Sequence, residues 1–168
     1  MSEREKIDLA VKNAVEAQCR DDVCSRSTMV GLKSIFDFIP EDFVKAMGSF
    51  CGGTASCSGS CGAFCAGLLA VGLKYNSTIE EELSAPEGKD PFGEKTAVHF
   101  MKYRDRFIKE VGTMMCPEIH KKLFGRSYLL TDPKQSEEFL NLEGHAIKCS
   151  KIVAIATRIA AETILEDE

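Results

Sequence analysis

The sequence predicts an all-α protein: a single-domain bundle of five to seven helices, with a Gly/Cys-rich loop leading into a buried central helix. Three observations predict it. Apolar residues recur at helical spacing in segment after segment, first at Ile7, Val11, Ala14 and Val15. Two-residue alternation, the mark of a half-buried strand, is almost absent. Proline and glycine fall where helices would start and stop, as at Pro40, Gly48, Pro117 and Gly125. At 168 residues, one helical domain over 1–168 is the expectation. A chain of that length buries roughly two-thirds of its unfolded surface, so it can fold without disulfides.

The first helix is expected over residues 4–18. Asp22 can cap a second over 23–38, whose face carries Met29, Leu32, Ile35 and Phe36. Pro40 ends it and opens a short third helix, "PEDFVKAMG", which Gly48 stops. Residues 48–60 hold too much Gly and Ser for a stable helix. From Cys61 to Tyr75, "CGAFCAGLLAVGLKY" is apolar nearly all round, the mark of a central, buried helix. Its small residues Ala63, Ala66, Gly67 and Gly72 suit close packing within the chain or the seam of a homodimer equally well. Residues 76–93 read as a surface loop, 94–111 as a long amphipathic helix, and "CPEIHKKLFG" as a short one. Residues 126–141 read as a loop with one helical turn in "PKQSEEFL". The last helix, 143–165, carries Ile147, Val153, Ile155, Ala156 and Ile159.

The net charge of −5, with no basic cluster interleaved with aromatics, argues against nucleic acid as a partner. The N-terminus is charged and amphipathic, unlike a signal peptide. No apolar run reaches the ~18 residues of a membrane span. A cytoplasmic location without membrane insertion is therefore expected. Thiols stay reduced there, so the eight cysteines point to metal or redox chemistry.

Four of the eight, Cys51, Cys57, Cys61 and Cys65, lie in "SFCGGTASCSGSCGAFCAG". Cys61 stands where the Gly-rich loop enters the buried helix. Free N–H groups and the helix dipole there would lower a thiol's pKa, which suits a cluster ligand or an activated thiol. Buried cysteines also serve simply as small apolar side chains. Cys24, in the first turn of the second helix, has the same advantage, whereas Cys19 reads as incidental. Cys61 and Cys65 share a helical face. So do Cys116 with His120 and His145 with Cys149, and two such faces meeting would offer a zinc set of two thiolates and two imidazoles. No CxxCH, Walker loop or GxGxxG fingerprint is present, and no histidine lies near Cys61 in sequence to make a hydrolytic dyad.

"DVCSRSTMVGLKSIF", "CGAFCAGLLAVGLKY", "FIKEVGTMMCPEIHKKLFG" and "CSKIVAIATRIAAETI" together resemble the C_GCAxxG_C_C family of redox-active proteins, over residues 20–165. The glycine closing the family's CGAxxG motif is Ala66 here, with Gly67 one place on. The resemblance implies a site made of Cys24, Cys61, Cys116 and Cys149. Cys51, Cys57 and Cys65 are then extras. Cys57, Cys65, His120 and His145 stand as alternative ligands. It also implies a redox role of the kind found in anaerobes, with an oxidoreductase complex or another redox protein as partner. Four thiolates meet the ligand count of a [2Fe–2S] or [4Fe–4S] iron–sulfur cluster, which would make the protein an electron carrier or an oxidoreductase component. Two alternatives stand beside this: a metal-free thiol–disulfide protein using Cys61 with a resolving cysteine, and a structural zinc protein using Cys116, His120, His145 and Cys149.

Overall fold

Helices α1 (Glu3–Asp21), α2 (Cys24–Lys33), α4 (Gly62–Tyr75), α6 (Glu94–Val111) and α9 (His145–Leu165) form the body of the molecule in a computed structural model that describes residues 1–86 and 94–166. α1 packs against α2 and α9, α4 lies against α2, α6 and α9, and α6 closes on α9. Four shorter helices, α3 (Glu41–Ala46), α5 (Ile79–Leu83), α7 (Cys116–Phe124) and α8 (Pro133–Leu140), decorate this body. The described residues contain no strand and no helix long and apolar enough to cross a membrane.

Local chemistry accounts for the element ends. Ser2 and Glu5 form a capping box that starts α1. α1 ends at Asp22, which takes the left-handed conformation (φ 52°) and donates its N–H to Gln18 O. Asp22 was expected to cap the second helix. It terminates the first instead, and α2 begins behind Val23 with no side-chain cap. α1 and α2 approach closely because Gly31 has no side chain: a Cβ there would lie 2.6 Å from Ala14 Cβ. α4 carries the central position foreseen for it, with Ala63, Phe64, Ala66, Ala70 and Val71 buried.

The structure differs from the sequence reading at several further points. α2 stops at Lys33, short of residue 38, because Ser34 and Ile35 turn on bonds to Gly31 O and Leu32 O; Phe36 and Ile39 are buried beyond it. Within the expected loop, a Thr78–Glu81 capping box nucleates α5; residues 87–93 of that loop lie outside the described residues. "PKQSEEFL" forms the whole of α8, because Asp132 accepts from Lys134 N and Gln135 N and Pro133 fits the first turn. With α5 and α8, the described residues hold nine α-helices, beyond the five to seven anticipated. Ile147 is 62% exposed, because it lies on the side of α9 opposite His145 and Cys149.

Between a 3-10 turn (Met47–Phe50) and α4 lies an unusual loop. Gly52, Gly53, Thr54, Ala55, Ser56 and Ser58 all have φ between 51° and 77°. The left-handed region costs a non-glycine residue roughly 1–2 kcal/mol. The curl is held by Thr54 N–H to Phe50 O (3.1 Å), Ala55 N–H to Ser49 O (2.9 Å) and Ser56 N–H to Cys51 O (3.0 Å). Ser58 then ties it to the segment between α7 and α8: its Oγ donates to Tyr128 O (3.3 Å) and accepts from Leu130 N–H (2.9 Å).

Candidate cysteine site

The curl delivers the chain to a single antiparallel bridge between Ser60 and Met115. Cys61 N–H donates to Met114 O (2.8 Å), and Cys116 N–H donates to Gly59 O (2.8 Å). The bridge thereby sets the head of α4 beside the head of α7, each headed by a cysteine. Two glycines make the approach possible. A Cβ on Gly53 would stand 2.9 Å from Cys116 Cβ and 2.6 Å from Gly59 N. A Cβ on Gly62 would stand 3.0 Å from Cys24 Sγ, so this glycine lets the first residue of α2 rest against the first turn of α4.

Cys24, Cys61, Cys116 and Cys149 all line one cavity of about 140 Å³. They come from four helix regions that are far apart in sequence. Cys51, at the entry to the curl, lines it as well. The apolar wall includes Ile119, Phe139 and Ile152, and the polar wall Gln18, Asp22 and His120. Cys61 and Cys116 are buried, Cys24, Cys51 and Cys149 half-buried. The other cysteines lie elsewhere. Cys19 and Cys57 are exposed, Cys57 Sγ lying 3.5 Å from Ala55 O. Cys65 is half-buried and lines a separate apolar groove with Phe43, Leu68 and Leu69.

The cavity thiols are shifted in opposite directions. The Cys24 thiol is held down at about 7 by a hydrogen bond from Cys61, against the opposing effect of burial, with help from the N–H groups of Gly52, Ala63 and Ser25. Cys61 is pushed well up by that same bond, by burial and by the Cys24 charge. Cys116 rises to about 12, first through burial and then through the charge of Cys24 and Cys51. Burial and then Cys24 also push Cys149 and Cys51 up. Sequence reasoning looked for the thiolate at Cys61, at the entrance to α4. In the structure the N–H of Ala63 in that first turn helps to lower the neighbouring Cys24 thiol, while burial and Cys24 push Cys61 up.

The two candidate histidines have separate partners. His120 is 3% exposed, with Nε2 3.3 Å from Cys116 Sγ and Nδ1 without a partner. Its ring stacks on Phe139 at 4.3 Å, and burial pushes its pKa down to about 4. His145 Nε2 pairs with Asp22 Oδ2, and its Nδ1 donates to Leu142 O (3.3 Å). Among the described residues, no three His, Cys, Asp or Glu side chains group closely enough to hold a single metal ion.

Sequence reasoning missed Gln18 and Asp22 as wall residues. Gln18 is buried on α1 and donates its Nε2–H to Asp22 Oδ1 (2.8 Å). A glutamine on the apolar stripe of α1 was the one available signal.

A family model described as "Putative redox-active protein (C_GCAxxG_C_C)" matches residues 23–163. No curated protein and no solved structure matches the chain.

Proposed function

The chain belongs to the C_GCAxxG_C_C family of redox-active proteins, and from that premise we propose that Cys24, Cys61, Cys116 and Cys149 hold an iron–sulfur cluster used in electron transfer. The observation that carries this reading is the convergence of these four thiols on one cavity. Thiol–disulfide exchange needs two sulfurs; here four, with Cys51 as a fifth, face one another across a partly apolar space. Each thiolate raises its neighbours' pKa, so the full set ionises only around positive charge, which iron supplies. Among the described residues no three donors group for a single ion. Thiols spread around a space fit a polynuclear group better than a lone zinc.

The chain's own residues have definable tasks in this reading. A bound cluster would supply one-electron chemistry. Ile119, Phe139 and Ile152 keep water from the sulfurs. The N–H groups of Gly52, Ala63 and Ser25 at Cys24 Sγ are of the kind that raises a cluster's potential by stabilising charge on sulfur. The partner is then another redox protein or an oxidoreductase complex.

One observation favours a second reading. Cys24 and Cys61 line the same cavity, and Cys61 draws the Cys24 thiol below its ordinary range while its own is pushed up. In a metal-free protein the Cys24 thiolate would attack one sulfur of a substrate disulfide and release the other as a thiolate. Cys61, losing its proton to solvent, would then attack Cys24 Sγ and release the second half of the substrate. This leaves a Cys24–Cys61 disulfide and two reduced thiols.

Anaerobic purification followed by a visible spectrum and assays for iron, zinc and acid-labile sulfide tests the proposal. Iron with sulfide and a broad absorption near ~400 nm is the expected result for thiolate-held iron. A colourless, metal-free protein that cycles a Cys24–Cys61 disulfide would replace it with the second reading.

A further inference from the structure

His120 carries an arrangement that neither the four-cysteine site nor the family match assigns. Its ring is 3% exposed, packed face to face on Phe139 (4.3 Å) and edge-on to Phe124 and Tyr128. That packing fixes the ring plane and aims Nε2 at Cys116 Sγ, 3.3 Å away. Nδ1 is buried and meets no protein donor or acceptor.

The two nitrogens decide the tautomer. With the proton on Nδ1, a buried N–H would be left without an acceptor, the costlier kind of orphan. With the proton on Nε2, the N–H points at sulfur, and only an acceptor lone pair at Nδ1 goes unused. A ligand imidazole ordinarily donates its second N–H to a carboxylate, carbonyl or water. His120 has no such partner, so the geometry of a metal ligand is incomplete at this residue.

We propose that His120 is a positioning residue: its Nε2–H donates to Cys116 Sγ and orients that sulfur into the cavity. To a sulfur held by a cluster the bond would be charge-assisted. Charge on sulfur is thereby favoured, and a bound cluster would be easier to reduce. The second half of this inference rests on the cluster reading; the first half does not.

The experiment has two arms on the full-length chain. In the first, metal-free reduced protein labelled with 15N-histidine is observed by NMR at neutral pH. His120 is expected to show a protonated Nε2 and a bare Nδ1. A protonated Nδ1 overturns the proposal, whether or not the protein ever binds iron. In the second, iron and sulfide are incorporated into the wild type, His120→Leu and His120→Gln, with helicity checked by circular dichroism. The proposal expects wild-type iron content in both variants and a lower reduction potential in His120→Leu. Partial recovery is expected in His120→Gln, whose amide can donate. Loss of iron from folded His120→Leu and His120→Gln alike would make His120 a ligand and overturn the proposal, as would an unchanged potential. Failure of the wild type to take up iron would refute the cluster reading and leave the first arm to decide the hydrogen bond.

Discussion

Substituting Gly67 by alanine tests how the site-bearing helix α4 is seated. Tyr103 of α6 is fully buried, and its hydroxyl donates to Phe64 O of α4 (3.1 Å). The Tyr103 ring stacks on Phe64 with centroids 5.4 Å apart. A Cβ on Gly67 would collide with the Tyr103 hydroxyl and lie 2.6 Å from Cζ and 2.9 Å from Cε2. The ring is rigid and enclosed, so either α4 and α6 part or Tyr103 gives up its hydrogen bond. Overpacking costs about 1–3 kcal/mol. Leaving the buried hydroxyl and carbonyl unpaired costs a further 1–3 kcal/mol or so. Alanine's better helix propensity returns about 1 kcal/mol. The net loss is roughly 1–5 kcal/mol, which for a domain of this size lowers Tm by about 2–20 °C. Tyr103→Phe removes the oxygen at the centre of the clash, so the double variant Gly67→Ala/Tyr103→Phe should lose less than the sum of the single effects. Chemical and thermal unfolding followed by circular dichroism measures both. Gly67→Ala as stable as the wild type, or strict additivity in the cycle, would refute the reasoning. The same substitution at Gly72 is a control, since its Cβ would meet only the movable amide of Asn76 at 3.1 Å.

Three further outcomes are expected. His120 has its pKa lowered from 6.5 to about 4, so the unfolded chain binds the extra proton first as pH falls. Stability of the metal-free protein should therefore decline from about pH 6.5 towards pH 4, by up to tenfold in the folding constant per pH unit, and His120→Leu should lack that component in urea titrations. Cys24, held at about 7 chiefly by Cys61, should be alkylated by iodoacetamide with a rate that rises through neutral pH. In Cys61→Ala that midpoint should move up, as peptide mass spectrometry at a series of pH values would show. Ala55 sits at φ 51° on the exposed side of the curl, so Ala55→Gly should stabilise the protein by roughly 0.5–1 kcal/mol once glycine's greater unfolded freedom is subtracted, measured by urea unfolding.

Helix positions were legible in the sequence where periodicity and punctuation agree. Cys61–Tyr75 reads as a buried helix because almost every side is apolar, and it is one, from Gly62. The amphipathic 94–111 helix coincides with its expected bounds because its apolar face repeats at helical spacing and Gly112 follows it. α5 escaped because it is only five residues long, its apolar pair Ile79 and Leu83 is exposed, and it rests on a local Thr78–Glu81 cap. The convergence of Cys24, Cys61, Cys116 and Cys149 on one cavity was signalled by family resemblance, not by spacing, because it depends on tertiary packing. Spacing alone favoured Cys51, Cys57, Cys61 and Cys65. The left-handed curl breaks that sequence cluster: it turns Cys57 outward and keeps Cys51 on the cavity. No local pattern could announce this, since Thr54, Ala55 and Ser56 are ordinary residues held at positive φ by their surroundings. The same holds for His145, whose partner Asp22 is 123 residues away in sequence.

The most direct test of the central claim is the iron and acid-labile sulfide content of anaerobically purified single Cys→Ser variants. The account predicts loss of both from Cys24→Ser, Cys61→Ser, Cys116→Ser and Cys149→Ser, and wild-type content in Cys19→Ser, Cys57→Ser and Cys65→Ser, whose sulfurs lie outside the cavity. Undiminished iron in all four site variants, or equal losses across both groups, would contradict it.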